Sequence, residues 1–176
     1  MKKYVAFLRG INISGKNKIS MLKLKQELEN ADFMEVTTYL NSGNIVFSTE
    51  KINVPAVIEK IIKDRFNLEI PVYVIEIERL QKILSAAPHW WGQNDGKNYD
   101  NLIFILTSDT AESIRSTIGE PSKDLEKIQI YENVIFWTFD RKLYQKCNWW
   151  KKTATKGIAE KLTIRTANTI QKMCVK

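Results

Sequence analysis

The sequence predicts an α+β chain made of two ferredoxin-like units, each of βαββαβ type with an antiparallel sheet, followed by a basic helical C-terminal segment. Three observations predict it. Over the first 80 residues, apolar runs and amphipathic segments alternate in the order strand, helix, strand, strand, helix, strand. The start of that order returns between Leu102 and Phe139, as a structural repeat without obvious sequence identity. Residues 141–176 then carry ten Lys/Arg against the single acid Glu160. The expected units are residues 1–80, holding a glycine loop, and residues 81–176, holding the basic tail.

Tyr4–Leu8 has the length and content of a buried strand. Ser20 suits the N-cap of a helix from Met21 to about Ala31, in which Leu24, Leu28 and Ala31 recur at i, i+4 and i+7. Val36–Leu40 and Ile45–Ser48 are β-rich, and Asn41-Ser42-Gly43-Asn44 between them reads as a hairpin turn. Pro55 fits the first turn of a second helix with Ile58, Ile61, Ile62 and Phe66 on one face. Val72–Ile77 is the next strand. A helix over Glu78–Ala87 ends at Pro88, and Trp90–Asn101, rich in Gly, Asn and Asp, reads as the connection between units.

In the second unit Leu102–Leu106 is a strand, and Asp109 with Glu112 resembles a capping box for a helix to about Ile118. Lys127–Tyr131 and Val134–Phe139 form a hairpin around Glu132 and Asn133. The tail is expected to be helical over Arg141–Lys146, Gly157–Leu162 and Asn168–Cys174.

Composition excludes several classes. The chain is long enough to bury a core, and its apolar and charged fractions are ordinary for a soluble protein. Val5–Leu8 is too short for a signal-peptide core and is stopped by Arg9. No later run approaches the roughly 18 apolar residues of a membrane span, so no membrane partner is expected. Cys147 and Cys174 are the only cysteines and His89 the only histidine, too few for a four-ligand Cys/His zinc site. The expectation is free thiols in a cytoplasmic protein, with no metal and no cofactor. Residues 141–176 carry net +9 and residues 1–140 carry −2, together the chain's +7. Such a tail, with Trp149 and Trp150, suits a phosphate backbone or a solvated helix face, and both readings stay open.

The chemistry centres on Arg9-Gly10-Ile11-Asn12-Ile13-Ser14-Gly15-Lys16-Asn17-Lys18. Two glycines free the backbone, and Arg9, Asn12, Lys16, Asn17 and Lys18 crowd donors and charge into one connection. In the predicted topology this loop and the Asn41–Asn44 turn leave the same edge of the sheet, which makes them one site. Gly10-x-x-x-x-Gly15-Lys16 has Walker A spacing, but Asn17 stands where a magnesium-binding hydroxyl belongs, and the helix starts several residues late. An anion nest using backbone N–H groups with Arg9 and Lys16 fits better, against an ordinary polar loop. His89 has no nucleophile near it in sequence, and Asp95 and Asp100 read as turn acids. Cys147 near Lys146 and Lys151 is either a thiol of lowered pKa or a structural cysteine. Phe7 and Phe47 would be the aromatics of an RNA-binding sheet face, but both read as core.

The run Tyr4–Asn17, followed by Tyr39-Leu40-Asn41-Ser42-Gly43-Asn44-Ile45-Val46-Phe47, resembles the family catalogued as domain of unknown function number sixteen ninety-seven. The resemblance implies two ferredoxin-like units in a bacterial-type cytosolic protein and no established activity. The family tends to carry Thr-x-Arg-Asn-Trp-x-Thr before its last helix. Here Thr163, Arg165 and Thr169 are kept, Thr166 and Ala167 stand for Asn and Trp, and Ser14 replaces a more usual Gly.

The expected function is binding of an anionic, phosphate-containing ligand. Arg9, Lys16 and Arg165 would supply charge, and Asn12, Asn17, Asn41, Ser42 and Asn44 hydrogen bonds. Non-specific nucleic-acid binding through residues 141–176, an enzyme of unknown reaction and a homodimeric interaction module are the alternatives. No nucleophile and base pair marks a catalytic centre.

Overall fold

In the computed structural model, which describes residues 1–175, strand β1 (Lys2–Leu8) lies inside a four-stranded sheet. Its last four residues, Val5 to Leu8, are fully buried, as an uninterrupted apolar run requires. Beside it are β3 (Asn44–Thr49) and β4 (Val72–Glu76), and β2 (Met34–Tyr39) lies outside β3, giving the order β2-β3-β1-β4. Every adjacent pair is antiparallel. The C-terminal ends of β1 and β2 therefore reach the same edge of the sheet.

Helices α1 (Met21–Asn30) and α2 (Val54–Phe66) pack on the face of this sheet that carries Ala6, Leu8, Ile45, Phe47 and Val72. Ser20 begins α1 by accepting a hydrogen bond from Lys23 N on its hydroxyl, at 3.2 Å, and Pro55 sits in the first turn of α2. Leu24, Leu28, Ile58 and Ile62 are completely buried, each worth about 1.5–3 kcal/mol of transfer free energy. Phe7 and Phe47 are both fully buried, which leaves no aromatic platform on β1 and β3 for stacking bases.

The chain divides into two compact units, Met1–Lys82 with the end of the chain from Lys172, and Ile83–Gln171. The division falls within α3 (Ile77–Ser85). Trp90–Asn101 is therefore part of the second unit and not a connection. Trp91 is buried and donates its indole N–H to Asn101 O at 2.8 Å.

The second unit repeats the sheet, with order β6-β7-β5-β8 from β5 (Asn98–Ile105), β6 (Glu126–Tyr131), β7 (Val134–Asp140) and β8 (Leu162–Thr166). Three corrections follow. β5 starts four residues before the expected Leu102, because backbone pairing of Asn98–Asn101 with Trp137–Asp140 does not need apolar side chains. Helix α4 (Ala111–Ile118) is capped by Thr110 and Ser113 in a reciprocal box, not by Asp109 and Glu112. Asp109 instead pairs with Lys161, at 3.1 Å.

The third correction concerns the tail, which is not a run of helices. It holds strand β8, helix α5 (Asn148–Thr153), helix α6 (Ala167–Cys174) and two single 3₁₀ turns. Trp149 on α5 is fully buried among Ile103, Ile114, Trp137 and other core side chains of the second unit. The α5 start is held from across the fold. Glu126 on β6, itself buried, accepts from Trp149 N at 3.0 Å, Trp150 N at 3.2 Å and Ser122 N at 2.9 Å. A carboxylate at a helix N-terminus meets both its free N–H groups and its dipole. Lys176, the last basic residue of the tail, lies outside the described residues. Among the described residues no helix is long and apolar enough to cross a membrane.

Candidate functional site

Both candidate segments leave the shared edge of the first sheet. Leu8 N donates to Gly43 O at 2.8 Å, so loop and turn are tied together where β1 ends. Gly43 makes this approach possible: it sits at φ +88, and a Cβ there would lie 2.6 Å from Leu8 Cβ and 2.9 Å from Ile11 Cδ1.

The glycine loop is a miniature hairpin. Ile13 and Lys16 form an isolated antiparallel bridge, with Lys16 N donating to Ile13 O at 2.9 Å and Asn12 N to Asn17 O at 3.1 Å. Ser14 (φ 48) and Gly15 (φ 75) are the two central residues, both at positive φ as a type I′ turn requires. Asn12 (φ 54) and Asn17 (φ 49) also occupy the left-handed region, which asparagine tolerates best among non-glycine residues. A phosphate-cradling loop aims successive N–H groups at one point, whereas here those of Leu8, Arg9, Asn12, Lys16 and Ile19 are spent on protein acceptors.

The candidate side chains divide by what they do. The Asn12 amide nitrogen donates to Asn41 O at 2.8 Å and Ile19 O at 3.0 Å, and its Oδ1 accepts from Ile19 N at 2.8 Å. Asn44 is fully buried and donates to Tyr39 O at 2.8 Å and Ser42 Oγ at 3.0 Å. Asn17 donates to Gly10 O at 2.8 Å. These three asparagines shape the edge. Arg9 is half-buried, with its backbone N–H on Pro71 O at 3.0 Å.

Lys16, Lys18 and Asn41 are exposed, and among the described residues neither lysine has an ion-pair partner. Lys18 and Asn41 line a cleft of about 550 Å³ with Asn12, Gly15, Ser20 and Met21, at the start of α1. Residues 9–26 contain no acid. Lys18 lines the cleft and Lys16 does not, a difference that spacing in the sequence does not tell.

Arg165 belongs to the second unit, on β8 opposite Leu102. It donates to Thr163 Oγ1 at 3.1 Å and Ile164 O at 3.0 Å, and burial pushes its guanidinium down to about 10, still charged at neutral pH. His89 is exposed. Asp100 is no solvated turn acid, since it lies in β5 and accepts from Thr138 Oγ1 at 2.7 Å and Gly92 N at 3.0 Å. The Cys147 thiol is raised, first by burial and then by Glu126, so its lysine neighbours do not activate it.

A family described as "Protein of unknown function (DUF1697)" matches residues 1–136. The chain is similar to a solved structure titled "The structure of conserved bacterial protein SP0830 from Streptococcus pneumoniae", at 26% sequence identity and a TM-score of 0.84. The similarity covers 99% of this chain and 97% of that one. No curated protein matches the chain.

Proposed function

The chain belongs to the DUF1697 family of proteins of unknown function, and we propose that the loop–turn edge of its first unit binds an anionic, phosphate-containing ligand. One observation carries this reading. The cleft at the start of α1 gathers Lys18, Asn41 and Ser20 where the chain has no acid between Arg9 and Gln26, with Lys16 exposed in the adjoining hairpin. The α1 N-terminus adds its own positive potential, and its first turn holds no acid either. In this reading Lys16 and Lys18 supply charge, Asn41 and Ser42 supply polar groups, and Asn12, Asn17 and Asn44 hold the edge in shape. Arg9, at the start of the loop, adds to its positive charge.

The strand order of each sheet supports a ferredoxin-like description of both units, with the third strand between the first two. Two free thiols support a cytoplasmic placement. The test is titration of the whole chain with inorganic phosphate, nucleoside monophosphates and short oligonucleotides, followed by amide chemical shifts. Shifts over Gly15–Leu22 and Asn41, weakened about tenfold in Lys18→Ala, are expected. Affinity equal to the parent's in both Lys18→Ala and Lys16→Ala would remove the reading. A second reading, non-specific nucleic-acid contact, draws on Lys142, Lys146, Lys151, Lys152 and Lys156, all exposed. It predicts oligonucleotide affinity that falls steeply with salt and is insensitive to Lys18→Ala.

A further inference from the structure

A second cleft, of about 310 Å³, opens in the second unit where β5 outruns β8. The β5–β8 ladder stops at Asn101 opposite Thr166, so Asn98, Tyr99 and Asp100 extend past it, while the chain turns at Thr166 into α6. Asn98, Tyr99 and Asp100 line the cleft from β5, Arg141 from the residue after β7, and Asn168 and Gln171 from α6. We propose that this cleft binds a small oxyanion that also carries hydroxyl groups, of the class of sugar phosphates and sugar acids.

The anion half is assigned to Arg141. Its guanidinium carbon lies 4.2 Å from the centre of the Tyr99 ring, stacked on a side chain that is 41% exposed. A cation–π contact holds the guanidinium without consuming its N–H hydrogen bonds, and those N–H groups suit a carboxylate or phosphate. Among the described residues Arg141 has no carboxylate partner. The one acid of the cleft, Asp100, is turned to Thr138 and Gly92 and has spent one lone pair on each oxygen there.

The hydroxyl half is assigned to the carboxamides. Those of Asn98, Asn168 and Gln171 make no hydrogen bond to protein among the described residues, and each offers a donor and an acceptor within one cleft. The remaining lone pairs of Asp100 can accept from a ligand hydroxyl. Gly92, held at φ +78, lines the cleft beside Gln171, whose Nε2 would lie 3.1 Å from a Cβ at that position. A charged fork, a row of uncommitted amides and a wall without a side chain thus meet at one sheet end. None of these residues belongs to the loop–turn edge, so the two sites stand or fall separately.

Amide chemical shifts of the whole chain, titrated with glucose 6-phosphate, gluconate, glucose and inorganic phosphate, test the proposal. Glucose 6-phosphate or gluconate should shift Asn98–Asp100 and Asn168, and which of them binds tells phosphate from carboxylate. Glucose and phosphate alone should bind about tenfold more weakly or not at all. Arg141→Ala should weaken the charged ligand about tenfold and leave glucose unchanged, while Lys18→Ala has no effect. If Arg141→Ala does not fold, Arg141→Gln and Asn168→Ala take its place. The proposal is overturned by an absence of shifts at about 10 mM ligand. Shifts confined to Gly15–Leu22, unchanged affinity in the Arg141 variants, or inorganic phosphate binding as tightly as the sugar phosphate would overturn it too.

Discussion

Asn12 donates its side-chain amide to the carbonyl oxygen of Asn41 at 2.8 Å, and this bond joins the glycine loop to the hairpin turn. The same side chain grips Ile19 twice, at 3.0 and 2.8 Å, just ahead of the α1 cap. Asn12→Ala removes all three bonds and places alanine at φ 54, a position that costs L-residues about 1 kcal/mol. The expected loss is about 2–4 kcal/mol, seen as a lower urea midpoint with unchanged slope. Asn12→Gly, which accepts the backbone, should lose less than Asn12→Ala. A loss within about 0.5 kcal/mol for both would show that the clasp carries no stability.

Gly43 and Gly10 both sit at positive φ but in different surroundings. A Cβ on Gly43 meets Leu8 Cβ at 2.6 Å, on a strand that cannot move without disturbing the core, whereas a Cβ on Gly10 meets nothing within 4 Å among the described residues. Gly10→Ala should cost about 1 kcal/mol from backbone strain alone. Gly43→Ala should cost at least about 3 kcal/mol, adding a steric clash to the same strain. Thermal unfolding of the two variants side by side decides it, and equal shifts would refute the close approach.

Two buried tryptophans give a matched comparison. Trp149 donates its indole N–H to Gly119 O at 3.0 Å, while the buried Trp137 N–H has no acceptor among the described residues. Replacement by phenylalanine removes similar area at each. Trp149→Phe also breaks a hydrogen bond, so it should destabilise more, by about 1–2 kcal/mol, than Trp137→Phe, which removes an unsatisfied donor. The reverse order in denaturant midpoints would mean that Trp137 has an acceptor in solution.

The first unit was legible because its signals are local. Ser20 caps the helix it precedes, Pro55 sits in the first turn of its own helix, and apolar runs mark the strands. The missed parts depend on distant partners. Asn98–Asn101 are polar and become strand only because β7 offers a backbone to pair with. Helix α5 is six residues long and is held at its start by Glu126, on another strand. Leu162–Thr166 lies within a basic stretch that masked its strand character. At the loop–turn edge, residue types named the candidates but not their direction. Asn12 and Asn44 turn inward to backbone carbonyls, and Lys18 lines the cleft, which residue type and spacing do not tell apart.

The two cysteines should resist modification in the folded protein. Burial pushes the Cys174 thiol up to about 11, and Cys147 is fully buried and raised as well. Alkylation requires the thiolate. At pH 8 the thiolate fraction of Cys174 should be about a hundredfold below that of an ordinary cysteine. Iodoacetamide followed by mass spectrometry should find both unmodified until denaturant is added. A native-state rate equal to that of a free thiol at either position would contradict the burial.

Asp109 gives the fold a dependence on acid. Its carboxyl is held below the ordinary carboxylate value of 3.8, first by the hydrogen bond from Thr107 Oγ1 and next by Lys161 Nζ, at 3.1 Å. A carboxyl whose folded pKa is depressed adds stability above its unfolded pKa, and that stability is lost as the pH falls through the folded value. Asp109→Asn should therefore lower the melting temperature at pH 7, and its gap from the parent should narrow as the pH falls from 7 towards and below 3.8. Lys161→Met removes the smaller contribution and leaves the Thr107 bond, so its effect at pH 7 should be weaker than that of Asp109→Asn. Melting curves of the three proteins across this range read both the sign and the ranking. A gap that stays constant with pH would show that Asp109 titrates alike in the folded and unfolded chain.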